Sequence, residues 1–326
     1  MKEEYKFFIF MIIFYLIISF PLDVFITSGG GVFSTNNKVT VENSNHQEGE
    51  IFLSYVREYK GNILTYLLSY VLPNWEREPL EDYTFNQEDY EEMFQRSKID
   101  LRKANSSAIK NAYELADKKI TEKNTEYLVY AYNKDINDNF KIGDKIISID
   151  NTPMEEFFLT NDFFKEHDTN KLVEVKLIRE NKEKTIKINV KEVDGKKIIG
   201  LWTYKITDYN TDPKVEFNFE KDEGGPSGGL LTTLYLYNQL TEDDITNGLK
   251  IAGSGEITSD GKALEIGGVD HKVRGAAKKD IDIFIAVNGD NYDLAKKIIK
   301  EDNLDIKLIG VDSLEDTINQ LKKLKN

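Results

Sequence analysis

Residues 224–229 read Gly-Gly-Pro-Ser-Gly-Gly and separate a predicted strand, residues 215–219, from an apolar predicted helix, residues 229–240. A serine on a glycine-rich turn is accessible to a reacting carbonyl group. The helix that follows presents its N-terminal amides to a developing oxyanion. We call residues 224–229 the serine turn, and Ser227 is the candidate nucleophile, although serine-bearing glycine turns without a catalytic role are common.

Predicted strands and helices alternate on both sides of the serine turn, from residue 201 to residue 326. Residues 281–287 predict a buried strand, residues 290–301 a helix, and residues 305–309 another strand. The last helix is expected to start near residue 312, where an Asp and a Glu three positions later resemble a capping box. This C-terminal region is therefore predicted to be α/β or α+β.

The composition excludes several function classes. The 326 residues carry a net charge of −14, which argues against binding to nucleic acid, because that needs a basic surface. Cysteine is absent from the sequence, so disulfides, thiolate metal sites and cysteine nucleophiles are excluded. The histidines His46, His167 and His271 show no metal-ligand spacing. We therefore expect neither a metal nor a cofactor.

Two further motifs follow Ser227. Residues 251–258 read Ile-Ala-Gly-Ser-Gly-Glu-Ile-Thr, and residues 266–277 begin Ile-Gly-Gly and contain Lys272, 45 positions after Ser227. With the serine turn, these motifs closely resemble the catalytic half of Lon-type peptidases, over residues 193–326. The resemblance implies a Ser227–Lys272 dyad.

The same resemblance assigns supporting positions around the dyad. They are Ser254, Gly225, Pro226 and Gly228. Gly228 stands where the family has alanine, and Ser254 stands where it has threonine. Ser254 keeps the hydroxyl that would orient the lysine amine but lacks the methyl group that restrains the rotamer.

The proposed dyad needs a neutral amine at Lys272. A lysine normally titrates near 10.4, so holding it neutral at pH 7 costs about 4.6 kcal/mol. Burial can lower a lysine pKa by about 3–5 units, and the neighbours Ile266, Val269, Val273 and Ala276 are apolar. The neutral amine would accept the hydroxyl proton of Ser227 and later donate a proton to the leaving amine.

Two other function classes stay open. Residues 225–229 also fit G-x-S-x-G, the nucleophile elbow of α/β-hydrolases, for which His271 is the one histidine downstream. An esterase-type Ser227–His271 hydrolase is therefore an alternative. A non-catalytic adaptor that only binds peptides is another.

Residues 124–192 predict a small β-rich module with one helix and a hairpin turning at residues 181–182. Residues 140–150 resemble the x-x-G-D-x-I-x-x-I-x-G signature of bacterial PDZ domains. That resemblance implies capture of peptides by addition of a strand to a sheet edge. A module that only spaces or packs is the alternative.

The N-terminus contains an apolar run, residues 7–26, with Asp23 as its single charge. About 20 apolar residues span a bilayer as a helix, so residues 1–26 predict an uncleaved transmembrane anchor. A cleaved signal peptide or a buried core helix are the alternatives. Residues 27–123 are interpreted as a tether followed by an N-terminal α/β region.

Taken together, the chain resembles the bacterial membrane-anchored family that combines PDZ and Lon-type peptidase domains (YlbL-like). The resemblance implies an α+β protein with an N-terminal transmembrane helix, a PDZ-like module and a Lon-type domain. It also implies a single-pass cell-membrane protein whose catalytic domain lies outside the cytoplasm. The expected activity is serine endopeptidase cleavage of proteins or peptides. Residues 255–262 do not fit the ATP-binding pattern G-x-x-x-x-G-K, so no ATP dependence is expected, and a homo-oligomer stays open.

Overall fold

The computed structural model describes residues 2–45, 47–85, 87–160 and 163–325. The helices are α1 Lys2–Ile18, α2 Ile63–Leu68, α3 Tyr90–Leu115, α4 Met154–Leu159, α5 Gly229–Leu240, α6 Val269–Ala277, α7 Asp290–Glu301 and α8 Leu314–Lys322. The strands are β1 Pro21–Ser34, β2 Val39–Val41, β3 Glu50–Asn62, β4 Trp75–Pro79, β5 Lys119–Tyr132, β6 Lys145–Ile149, β7 Thr152–Pro153, β8 Val173–Arg179, β9 Lys182–Ile188, β10 Lys191–Val193, β11 Lys196–Ile198, β12 Leu201–Asp212, β13 Val215–Phe217, β14 Lys250–Ser254, β15 Glu256–Ile257, β16 Ala263–Leu264, β17 Ile283–Val287 and β18 Lys307–Val311.

The first sheet is mixed and has the strand order β18-β17-β14-β3-β1-β4. Its strands β18, β17, β14 and β3 run parallel to one another, whereas β1 is antiparallel to both β3 and β4. Half of this sheet therefore comes from residues 21–79 and half from residues 250–311. Residues 27–50, at the start of the region interpreted as a tether and an α/β region, contribute most of β1 and all of β2.

Helices cover both faces of the first sheet. The alternation along β17 shows this directly, because Ile283, Ile285 and Val287 pack in one core with α5, and Phe284 and Ala286 pack in another with α6 and α7. Every residue of α5 is buried, since α3 covers its outer side. The alternating strand and helix pattern of residues 281–309 is thus the expected one, and the resulting mixture of α and β structure fits a Lon-type domain.

The second sheet is antiparallel, with the order β12-β5-β6-β8-β9 and β7 paired to β6. It has its own apolar core and carries the single short helix α4. Strands β8 and β9 form the hairpin, in which Glu180 and Asn181 have positive φ angles of 54° and 60°, typical of a two-residue turn. The sequence placed this turn one residue later.

The residue pair Gly143-Asp144, part of the PDZ-like signature, has a structural role in the second sheet. The buried Asp144 accepts a hydrogen bond from the Lys141 amide at 2.9 Å and from Arg179 Nε at 2.7 Å. The carboxylate therefore closes the turn before β6 and ties it to β8.

The transmembrane anchor predicted for the N-terminal segment is wrong. Helix α1 has 17 residues, and from Pro21 the chain continues as a strand, in which Phe25 and Ile26 are buried between β3 and β4. The apolar residues 21–26 thus pair in the first sheet rather than extend the helix. Within the described residues, no helix is long and apolar enough to cross a membrane, so the predicted single-pass membrane location is not supported. The apolar side chains of α1 remain exposed.

Candidate active site

Ser227 lies half-buried on the serine turn, immediately before α5. The turn is fixed on both sides by backbone hydrogen bonds. The Gly225 amide donates to the Ser97 carbonyl of α3 at 2.8 Å, and the Gly255 amide donates to the Ser227 carbonyl at 2.9 Å. Gly225 has a φ of +91°, which favours glycine at this position. The serine is therefore held between α3 and the end of β14.

Two backbone amides beside the serine are available to a ligand. Pro226 has no amide hydrogen, and its carbonyl accepts from Gly229 at 3.0 Å. For the amides of Ser227 and Gly228, the described part of the chain provides no hydrogen-bond acceptor. They lie at the N-terminus of α5, where the helix dipole favours negative charge. This is the arrangement that an oxyanion requires.

Gly228 has room for a side chain, although it departs from the family pattern. Its φ of −89° suits any residue. A Cβ atom would lie 3.6 Å from Leu53 Cδ2, an ordinary van der Waals contact. The alanine of the family pattern would therefore fit here.

Lys272 lies on the first turn of α6 and is 2% exposed. Its Nζ donates to Ser254 Oγ at 3.1 Å and to the Gly267 carbonyl at 3.1 Å. Ser254 Oγ in turn donates to the Ser227 carbonyl at 3.0 Å. Ser254 thus links the lysine amine to the backbone of the candidate nucleophile. Among the described residues, no hydrogen bond joins Ser227 Oγ to Lys272 Nζ directly.

Burial lowers the pKa of Lys272 from 10.5 to about 8. The physical cause is the loss of hydration around the ammonium group, because Val269, Val273 and Ala276 of the same helix are also buried. The negative charge of Glu58 opposes this shift. A substantial fraction of the amine is therefore neutral near pH 8.

Glu58 belongs to a short row of residues across the first sheet, below the start of α6. Thr27 of β1 is paired with Glu58 of β3 on one side and with Glu76 of β4 on the other. Paired residues of antiparallel strands point to the same face. The Glu58 side chain is exposed, but partial loss of hydration around its carboxyl group raises its pKa, and the charges of Lys272 and His271 oppose that rise. This row could not be predicted from local sequence patterns, because it depends on pairing between distant strands.

The Glu58 carboxylate leads to a prediction on pH dependence. We expect Glu58→Gln to lower the pKa of Lys272, because the variant loses the negative charge that stabilises the ammonium form. If turnover requires the neutral amine, the rising limb of kcat/KM near pH 8 moves to lower pH in the variant. The measurement is a pH profile beside Glu50→Gln, at the other end of β3. The prediction would be contradicted if kcat/KM of Glu58→Gln rose at the same pH as in the wild type, or at a higher pH.

Helix α6 packs unusually close to β1. A Cβ on Gly275 would lie 2.5 Å from the Gly31 nitrogen, and a Cβ on Gly30 would lie 2.4 Å from the His271 carbonyl oxygen. Only glycines permit this approach, which places the first turn of α6, with Lys272, over the sheet. The glycine run at residues 29–31 was interpreted from the sequence as part of a tether, and its packing role was not predicted.

Among the described residues, neither His167 nor His271 forms a hydrogen bond with Ser227. His271 is buried, and its polar neighbours are carboxylates, with Nε2 lying 3.3 Å from Glu76 Oε2 and 3.7 Å from Asp270 Oδ2. The ring of His167 lies 3.0 Å from the Lys171 carbonyl oxygen. His46 lies outside the described residues. The geometry therefore gives no support to His271 as the base for Ser227.

Comparison with known protein families gives a match that covers the segment with Ser227, Ser254 and Lys272. Residues 219–323 match the family of the Lon protease (S16) C-terminal proteolytic domain. The match supports a Lon-type peptidase. The Lon-type segment contains Ser227, Ser254 and Lys272, and it lies inside the range of residues 193–326 over which the sequence motifs suggested the resemblance. No curated protein sequence matches the chain significantly.

Proposed function

We propose that this chain is a serine endopeptidase that cleaves protein or peptide substrates without ATP, with Ser227 as nucleophile and Lys272 as general base. The main support is the buried hydrogen-bonded path from Lys272 Nζ through Ser254 Oγ to the backbone of Ser227. This path lies inside the segment that matches the Lon protease domain. Ser254 orients the amine, and Gly225, Pro226 and Gly228 shape the serine turn.

In the proposed reaction, Ser227 Oγ comes within hydrogen-bond distance of the Lys272 amine and attacks the substrate carbonyl carbon. The amine takes the hydroxyl proton as the new C–O bond forms. When the C–N bond breaks, the resulting ammonium group donates that proton to the leaving amine. Water then attacks the acyl-enzyme, with the neutral amine of Lys272 as base again. Release of the carboxylic acid restores the Ser227 hydroxyl.

The oxyanion of each tetrahedral intermediate would bind to the amides of Ser227 and Gly228. Both directly precede α5, whose position is fixed by burial of the whole helix. Donors that are fixed in advance stabilise the developing charge without reorganisation. This step requires no residue beyond the serine turn.

The proposed dyad is tested by labelling the full chain with a serine-reactive phosphonate. We expect one adduct, mapped by mass spectrometry to Ser227, and its loss in Ser227→Ala and in Lys272→Met. Ser259→Ala, in an exposed turn after β15, is the matched serine control. Labelling that survives in Lys272→Met would favour the esterase-type alternative with another base. No labelling of the wild type at Ser227 would favour the non-catalytic adaptor.

We further propose that residues 124–192 form the PDZ-like module that captures substrate segments. Its support is the order of β6, α4 and the β8–β9 hairpin, together with a core of its own. Peptide bound to Ser227→Ala should slow amide exchange at β9, the edge strand of the second sheet that belongs to this module. Slowed exchange confined to the serine turn would show that this module does not hold the peptide.

A further inference from the structure

His271 is a buried imidazole with unusual surroundings. It is 2% exposed, and neither of its ring nitrogens forms a hydrogen bond within the described part of the chain. Buried polar atoms in proteins are nearly always paired, so an unpaired imidazole requires an explanation. Carboxylate oxygens of Glu76 and Asp270 lie within 4 Å of its Nε2 atom.

The spacing of these atoms fits a metal ion better than a hydrogen bond. Nε2 of His271 lies 3.3 Å from Glu76 Oε2 and 3.7 Å from Asp270 Oδ2, and one ligand atom from each residue lies within 4.8 Å of the other two. Zinc binds imidazole nitrogen and carboxylate oxygen at about 2.0–2.2 Å, so two of its tetrahedral ligands are about 3.4 Å apart. The observed separations are close to that value, whereas 3.3 Å is long for a charge-assisted hydrogen bond.

The negative charges of the two carboxylates and the access to the site from solvent also suit a cation. Glu76 and Asp270 together offer two negative charges to a divalent ion. The Glu76 side chain is 57% exposed, which leaves an entry path from solvent and free coordination positions for water. Asp270 Oδ2 also accepts from Arg274 Nη1 at 3.2 Å, a bond that orients the carboxylate.

We propose that Glu76, Asp270 and His271 bind a divalent cation of the zinc type, which joins the first turn of α6 to the edge strand β4. One imidazole and two carboxylates are ligands that Zn²⁺ and Co²⁺ accept, and water completes the coordination. The sequence predicted no metal site, because Glu76 and His271 are far apart in the chain. None of the ligands is the proposed nucleophile or base, so binding of the ion can be tested without measuring peptidase activity.

The test is titration of the full chain with Zn²⁺ alone, followed by calorimetry. We expect saturable binding of one ion per chain. Loss of an outer-sphere partner alone costs about 10- to 100-fold in metal affinity, so Glu76→Gln should weaken binding at least about tenfold. Glu81→Gln removes the same charge from an exposed position just after β4 and should bind as the wild type does. Glu76 is itself exposed, so the variant is expected to fold.

A second measurement identifies the ligand residue directly. The chain has three histidines, so a nitrogen–proton correlation spectrum of the imidazoles contains few signals. Zn²⁺ should shift the imidazole signals of one histidine, and those signals should be absent from the spectrum of His271→Asn. Bound Co²⁺ should give an absorption band in the visible range. The proposal fails if Zn²⁺ does not saturate a site, if Glu76→Gln binds it as tightly as the wild type, or if the His271 signals do not move. Any of these results would leave a simple imidazole–carboxylate pair.

Discussion

Lys272→Met is expected to abolish peptide hydrolysis while the protein stays folded. Methionine is similar in length to lysine and is apolar, so it suits the buried position. It has no amine to accept the Ser227 proton. Loss of general-base catalysis costs about 10²- to 10⁴-fold, and loss of nucleophile activation adds to this. The measurement is kcat/KM on an unstructured peptide substrate, beside circular dichroism spectra. Lys278→Met, at the exposed C-terminal end of the same helix, should keep wild-type turnover.

A stability measurement separates this role of Lys272 from a structural one. The pKa of the folded state is lowered, so the unfolded chain binds more protons at this site between pH 8 and 10.5. The unfolding free energy of the wild type, relative to that of Lys272→Met, therefore rises with pH through this window. Below pH 8 the wild type bears the full cost of the buried ammonium group. A difference that does not change with pH would mean that the amine is not desolvated, and full turnover by the variant would refute the dyad.

Gly275→Ala is expected to destabilise the protein strongly and to remove activity with the lost structure. The new Cβ would lie 2.5 Å from the Gly31 nitrogen and 2.6 Å from the Gly30 carbonyl carbon. Both are backbone atoms of a strand held on two sides, so α6 has to move away. We expect a loss of at least about 3 kcal/mol of unfolding free energy, the upper end of the usual range for overpacking. Denaturant unfolding gives this value.

Two other glycine substitutions provide the comparison for Gly275→Ala. A Cβ on Gly267, just before α6, meets no atom within 4 Å, so Gly267→Ala should change the unfolding free energy little. Gly228→Ala should stabilise the protein by about 0.4–1 kcal/mol, because the φ of −89° suits alanine and the unfolded chain loses freedom. Equal effects of all three substitutions would show that the contact between α6 and β1 is not tight.

The local parts of the fold and of the site could be predicted from sequence because short-range patterns encode them. The strand and the helix of residues 281–301 follow from their apolar periodicity. The contact of Ser254 with the lysine amine was expected only from the resemblance to Lon-type peptidases, and the structure contains this contact. The apolar run at residues 7–26 misled the prediction of a membrane helix. Periodicity does not separate an apolar helix from an apolar strand, and residues 21–26 are fixed by pairing with β3 and β4.

Long-range features of the site could not be predicted in this way. The row Glu58, Thr27 and Glu76 exists only when three strands align in one register. The glycines at positions 30, 31 and 275 look like ordinary flexible positions until the helix and strand are brought together. The cluster of Glu76, Asp270 and His271 depends on both the alignment of the strands and the close packing of α6 on β1. A search of the sequence for regular ligand spacing therefore does not find it.

The shared sheet has a consequence for biosynthesis. The strand that precedes Ser254 pairs with β3 in the register Lys250 to Glu50, a separation of 200 residues, and the helix that carries Lys272 rests on β1. A ribosome makes the N-terminal strands first and Lys272 much later, so a nascent chain cannot bring Ser227, Ser254 and Lys272 into this arrangement until translation is nearly complete. If the chain is the proposed peptidase, it gains activity only late in its synthesis, and two separately expressed halves should regain function only by complementation.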